Sequence, residues 1–198
     1  MHYSEELKVA WFTPQRTGTR STREILRVLN FKTCDHHFEV PENYEEYFMV
    51  ANIRNPYHRM PSLYYLYCNN NRNFDMKFND FLDLIFNNQK LKIGYQLDYE
   101  NTIMSSSKPF DKFIRTESLE LDLKSLSFID LNNSDIAKVF DEHIHNNPLK
   151  KEFSNEMNSD KKPWKDFYNQ EIADYVYDNL KKQFEFFGYN KDSWKEVE

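Results

Sequence analysis

The sequence is poor in the residues that mark several common protein classes. It has two cysteines, Cys34 and Cys68, in neither a C-x-x-C nor a zinc-ligand spacing, which excludes a disulfide framework and fits a reducing compartment. No apolar run is long enough for a signal peptide or a membrane span, and Met1–Leu7 is polar and acidic, so the expectation is a cytoplasmic protein with no membrane partner. An excess of positive charge is also missing, since the net charge is −6. That removes the basic footprint of general nucleic-acid binding, so an anionic ligand must be held by a local cluster. Glycine occurs only three times, whereas aromatic residues make up 17%. Apolar burial therefore leans on Phe and Tyr, and each buried tyrosine needs a partner for its hydroxyl. A chain of 198 residues, 39% hydrophobic, can bury one core, and residues 1–198 are expected to form a single domain.

Lys8–Thr13 reads as a short buried strand running through Pro14 into a polar turn that ends at Gly18. A helix follows over Thr19–Asn30, with Ile25, Leu26 and Leu29 on one face and Arg20, Arg23 and Arg27 on another. Phe31–Cys34 is a second candidate strand. Phe48–Ile53, apolar apart from Asn52, reads as a third strand, buried as parallel strands are. A helix begins after Pro56 with Pro61 in its early part, and Phe78–Phe86 has helical spacing. Lys112–Arg115 is a fourth strand that leads into a short helix over Glu117–Leu126. The tract Asn132–Lys165 reads as loops with a short helix near Ile136–Ile144. A last helix carries the stripe Ile172, Val176, Leu180, Phe184 and Phe187, with Gly188 as its left-handed cap. Strands alternating with helices imply an α/β fold, a P-loop-like domain with a central parallel sheet flanked by helices. Its ligand site belongs at the carboxyl ends of the strands.

Two segments at those ends carry chemistry. Pro14-Gln15-Arg16-Thr17-Gly18-Thr19-Arg20-Ser21 joins a strand to a helix start, where amide N–H groups and the helix dipole favour an anion. Gly18 permits close approach, Thr17, Thr19 and Ser21 offer hydroxyls, and Arg16 and Arg20 add permanent charge. It is not a Walker A loop, because the earlier glycine and the lysine are missing. The second segment, Arg54-Asn55-Pro56-Tyr57-His58-Arg59-Met60-Pro61-Ser62, follows the third strand.

In this order the two segments resemble the donor-binding motifs of sulfotransferases that use PAPS (3′-phosphoadenosine 5′-phosphosulfate). The first is similar to P-[KR]-[TS]-G-[TS]-[TR]-S, with Gln15 inserted and Arg16 in the place of the usual lysine, and the second is similar to R-[DN]-P-x-x-R-x-x-S. Phe113-Ile114-Arg115-Thr116-Glu117-Ser118-Leu119 and the ending Phe184-Glu185-Phe186-Phe187-Gly188-Tyr189 extend the likeness from Val9 to Tyr189. The likeness is closest to carbohydrate-type and small bacterial or viral members. It implies that Arg16, Thr17, Gly18, Thr19, Arg20 and Ser21 hold the 5′-phosphosulfate, and that Arg54 and Ser62 hold the 3′-phosphate of PAPS and of its product PAP. Arg59 is expected to orient the loop through an ion pair, and Arg115 with Glu117 to form another.

Transfer of a sulfuryl group needs a base for the acceptor proton. Carbohydrate sulfotransferases often carry a histidine in the interval Asp35-His36-His37-Phe38-Glu39, and the ordinary pKa of histidine suits the task. His37 is placed first, His36 next and Glu39 as the substitute, while Arg16 is expected to stabilise charge on the leaving oxygen and to be a poor proton donor. No metal is expected. Lys161, Lys162 and Lys165 around Trp164 form a basic loop that could close over a nucleotide, with plain solvation as its simpler use. The acceptor is a carbohydrate or another hydroxyl or amine compound. The rival readings are a nucleotide kinase of related topology and a nucleotide-binding module without catalysis, and the oligomeric state is open.

Overall fold

The computed structural model describes residues 1–33, 44–97, 103, 108–145 and 162–195. They fall into two compact units, those of Met1–Ile53 with Ser106–Asp160 and those of Arg54–Ser105 with Lys161–Glu198.

The first unit is built on a mixed five-stranded sheet in the order β3-β1-β2-β4-β5, comprising β1 (His2–Ser4), β2 (Val9–Phe12), β3 (Lys32–Thr33), β4 (Phe48–Ile53) and β5 (Lys112–Arg115). β2, β4 and β5 are parallel, with Trp11 opposite Val50 and Ile53 opposite Arg115. Every residue of β2 and all but the first of β4 are buried, as their unbroken apolar runs require. The expectation of a parallel sheet holds for these three strands only. β1 inserts antiparallel between β2 and β3, pairing His2 with Trp11 on one side and with Thr33 on the other. The segment Met1–Leu7, read from the sequence only as polar and acidic, thus supplies a strand. Its polar residues His2 and Ser4 are buried in a strand paired on both sides, which no apolar alternation announces.

Helix α1 (Thr19–Val28) buries Thr22, Ile25 and Leu26 and turns Arg20, Arg23 and Arg27 outward. Val9, Trp11, Val50 and Ile114 from one sheet face meet Ile25 and Leu26 in a single core. Leu123 of helix α5 (Leu119–Lys124) and Ile136 and Val139 of helix α6 (Ser134–Val139) join the same core. Trp11 fixes its ring edge-on against Phe31 and Phe128, with centroids 6.5 and 6.2 Å away. A π-helical turn, Phe140–His145, continues α6.

The second unit is helical, with α2 (Pro56–Asn71), α3 (Phe78–Asn87), α4 (Gln89–Gly94) and α7 (Gln170–Phe187). Asn55 caps α2 by accepting the Tyr57 N–H at 2.9 Å, and Pro56 stands in the first turn, where its missing N–H is not needed. The helix α7 buries Val176, Leu180, Phe184 and Phe187 of the stripe read from the sequence and leaves its first member, Ile172, half-buried. It ends where Gly188, at φ 71°, lets the Tyr189 N–H donate to the Phe184 carbonyl. The aromatic-rich composition is used here as expected: Tyr64 meets Phe78, Phe81 and Phe167, and its hydroxyl donates to the Met76 carbonyl at 2.6 Å. Burial pushes that phenol up to about 12.

Pro61 lies inside α2. It cannot supply the N–H that the Tyr57 carbonyl, four residues earlier, would receive in a regular helix. The Tyr168 hydroxyl fills that place, donating to the Tyr57 carbonyl at 2.9 Å in a buried setting. Tyr168→Phe is therefore expected to orphan the carbonyl and destabilise the fold by about 1–3 kcal/mol. In a Pro61→Ala background residue 61 regains its N–H, so most of that cost should disappear. Urea unfolding of the two single variants and the double variant measures the coupling. Equal costs in both backgrounds would refute this role for Tyr168.

Candidate functional site

The segment between β2 and α1 is shaped by its own side chains. Arg16 at φ 66° and Gly18 at φ 73° are both left-handed, with Thr17 between them. For arginine that conformation costs about 1 kcal/mol. Backbone held in a disfavoured region, with turns that curl successive amides toward one point, is what anion-binding loops are made of. Gly18 is favoured by its backbone alone: its φ of 73° suits glycine, whereas a Cβ there would meet Leu119 Cδ2 at 3.5 Å and Thr116 Oγ1 at 3.6 Å, ordinary van der Waals contact. Thr116 is itself fixed, since its hydroxyl donates to the Ile53 carbonyl at 3.1 Å.

The hydroxyls behave differently from the expectation. Thr17 Oγ1 donates to the Pro14 carbonyl at 2.8 Å, and Thr19 Oγ1 donates to the same oxygen. Both protons close the loop on itself, so what these two residues can offer an anion is their amides. Gly18 is the N-cap of α1 and provides no side-chain cap, and the first turn of the helix contains no acidic residue. The amides of that turn are those that bind anions at helix starts. Arg16 is half-buried and Arg20 exposed. Burial first, and the Arg20 cation second, hold the Arg16 guanidinium below the usual arginine range, so a negative charge beside it would relieve an existing electrostatic cost. Ser21 is half-buried in the first turn of α1.

One contributor was not singled out by sequence reasoning. Asn52, in the interior of β4, is fully buried, accepts the Trp11 indole N–H at 2.7 Å, and donates to the Thr17 carbonyl and to Thr22 Oγ1, both at 2.8 Å. Its signal was visible as the single polar residue in an apolar strand, because a buried amide must find partners.

In the second unit, Arg54 is half-buried directly before the helix cap Asn55. It lies near enough to Tyr168 for its charge to act there. Burial drives that phenol well above the usual tyrosine range, and the Arg54 cation opposes the rise. Asn55 is braced by donating to Ser193 Oγ at 2.8 Å. Ser62 is half-buried in α2. Arg59 is buried, and its guanidinium donates to the Gln96 carbonyl at 2.8 Å, which gives it an orienting role through a backbone oxygen. His58 packs against Trp164 with ring centroids 3.9 Å apart, and Lys165 lies over the same indole, so in this unit Trp164 is anchored by side-chain contacts. The Lys162 N–H donates to the Tyr65 hydroxyl at 3.1 Å.

In the first unit, the Arg115 N–H donates to Asp122 Oδ2 at 2.7 Å, and Ser118 donates to the same oxygen, so Asp122 organises the turn after β5. His36, His37 and Glu39 lie outside the described residues, as do Asp35, Cys34 and Lys161. His2 is buried with its ring nitrogen 3.0 Å from Thr33 Oγ1, a partner within the sheet. Among the described residues no group of three or more His, Cys, Asp or Glu could hold a metal ion, and no helix is long and apolar enough to cross a membrane. The chain matches no family model, no curated protein and no solved structure.

Proposed function

We propose that the protein is a sulfotransferase that moves a sulfuryl group from PAPS to a hydroxyl or amine acceptor, a carbohydrate among the candidates. The observation that carries the reading is the strained loop between β2 and α1, in which left-handed Arg16 and Gly18 lead into a helix start without a side-chain cap or an acidic residue. The sequence Arg54-Asn55-Pro56 to Ser62, and its resemblance to the 3′-phosphate motif, narrows the anion to that donor. The absence of a Walker lysine from the loop counts against the kinase reading.

PAPS supplies an activated sulfuryl group when bound. In this account the amides of Gly18, Thr19 and Arg20, with the Arg16 guanidinium, hold its 5′-phosphosulfate, and Arg54 and Ser62 hold the 3′-phosphate. His37 takes the acceptor proton while a bond forms from the acceptor oxygen or nitrogen to sulfur and the bond from sulfur to the phosphate oxygen breaks. Arg16 stabilises the charge that builds on that oxygen, so its contact strengthens toward the transition state. The product PAP then leaves with both phosphate groups. With two cysteines and no disulfide framework in the sequence, we place the reaction in the cytoplasm. The reading is tested by whether the protein selects PAP over AMP and over ATP with Mg²⁺ in calorimetric titration.

A further inference from the structure

We infer that Asn52 is a positioning residue, which presets the anion-facing amide of the β2–α1 loop; the inference rests on the reading of that loop as the phosphosulfate site. The argument begins with Trp11, whose indole nitrogen can only donate. The Asn52 atom 2.7 Å from it must therefore be the amide oxygen, which fixes the orientation of the whole amide. Nδ2 then points the other way, and both of its hydrogens are used, one on the Thr17 carbonyl and one on Thr22 Oγ1, each at 2.8 Å. A peptide group is planar and trans, so its C=O and N–H point in opposite directions. The carbonyl of Thr17 belongs to the same peptide as the amide of Gly18. By drawing the Thr17 carbonyl toward β4, Asn52 turns the Gly18 N–H away from the strand, to the side on which a ligand would meet the loop. The second bond, to Thr22, ties the first turn of α1 to the same amide, so that helix start and loop are held by one side chain.

The rest of β4 shows what this costs. Its other residues are apolar, and an apolar residue at position 52 would fill the strand without the desolvation that a buried amide incurs. The three partners repay that cost only in this one arrangement of loop and helix, which makes the arrangement specific.

The test uses the full chain with Asn52→Asp and Asn52→Leu. Asn52→Asp keeps the size and the acceptor for Trp11 but sets a carboxylate oxygen against the Thr17 carbonyl. Asn52→Leu removes all three bonds without burying a charge, and so remains informative where the aspartate variant does not fold. Two readouts are taken. The first is hydrogen exchange at the Thr22 amide, which donates to the Gly18 carbonyl at 3.2 Å. Exchange there should quicken about tenfold or more in either variant while α7 keeps its protection. The second is PAP affinity relative to wild type at each pH. It should fall about tenfold in both variants at pH 8. Only Asn52→Asp should recover as the pH is lowered, because a buried carboxyl titrates above the ordinary range and its protonated form can again donate to the Thr17 carbonyl. Unchanged Thr22 exchange, with PAP bound as tightly as by wild type, overturns the inference and leaves the sulfotransferase reading standing. Failure of the wild-type protein to bind PAP defeats that reading, and Thr22 exchange still decides the role of Asn52.

Discussion

Replacing Arg54 by alanine is expected to weaken PAP binding about 100-fold and to leave AMP binding within about twofold of wild type. The two ligands differ only in the 3′-phosphate, so the ratio isolates the group assigned to this side chain. Removing one partner of a desolvated charge pair costs about 3 kcal/mol, which is the stated factor in the dissociation constant. Arg54 is well placed to act as a fixed donor, since it directly precedes Asn55, which is locked to Tyr57 and Ser193. Arg54→Lys keeps the charge but loses the planar fork, and should fall between wild type and the alanine variant. Equal losses for PAP and AMP would mean that Arg54 supports the fold or the shared part of the ligand, and the 3′-phosphate assignment would fail.

The largest effect is expected at His37. With PAPS and an accepted acceptor, His37→Ala should lower turnover about 1,000-fold, within the usual contribution of a positioned general base, while PAP affinity stays at its wild-type value. Full turnover in His37→Ala would move the base to His36 or Glu39. Normal PAP affinity with no turnover on any acceptor, even in the wild-type protein, would point to a binding module without catalysis.

Much of the frame was legible because single segments dictate it. The apolar runs of β2 and β4 have no stable place outside a sheet interior, and the stripe from Val176 to Phe187 ending on Gly188 specifies a helix and its stop. What escaped depends on partners distant in sequence. His2–Ser4 is a strand only because β2 and β3 flank it. Pro61 is tolerated because Tyr168, far along the chain, takes over the missing donor's role. At the candidate site, Gly18 and the arginines could be read from residue type and position. The inward turn of the Thr17 and Thr19 hydroxyls could not, because a hydroxyl in a loop can serve either the ligand or the backbone. Asn52 was visible as an oddity in its strand, but its role depends on Trp11 and Thr17 being brought to it by the fold.

The most direct test of the central claim is calorimetric titration of the purified protein with PAP, beside AMP and ATP with Mg²⁺. The account predicts that PAP binds about 100-fold more tightly than AMP, a difference of about 3 kcal/mol carried by the 3′-phosphate, and that Mg²⁺ with ATP gives no tighter complex. Absence of PAP binding, or tighter binding of ATP with Mg²⁺, would contradict the sulfotransferase reading and favour a kinase.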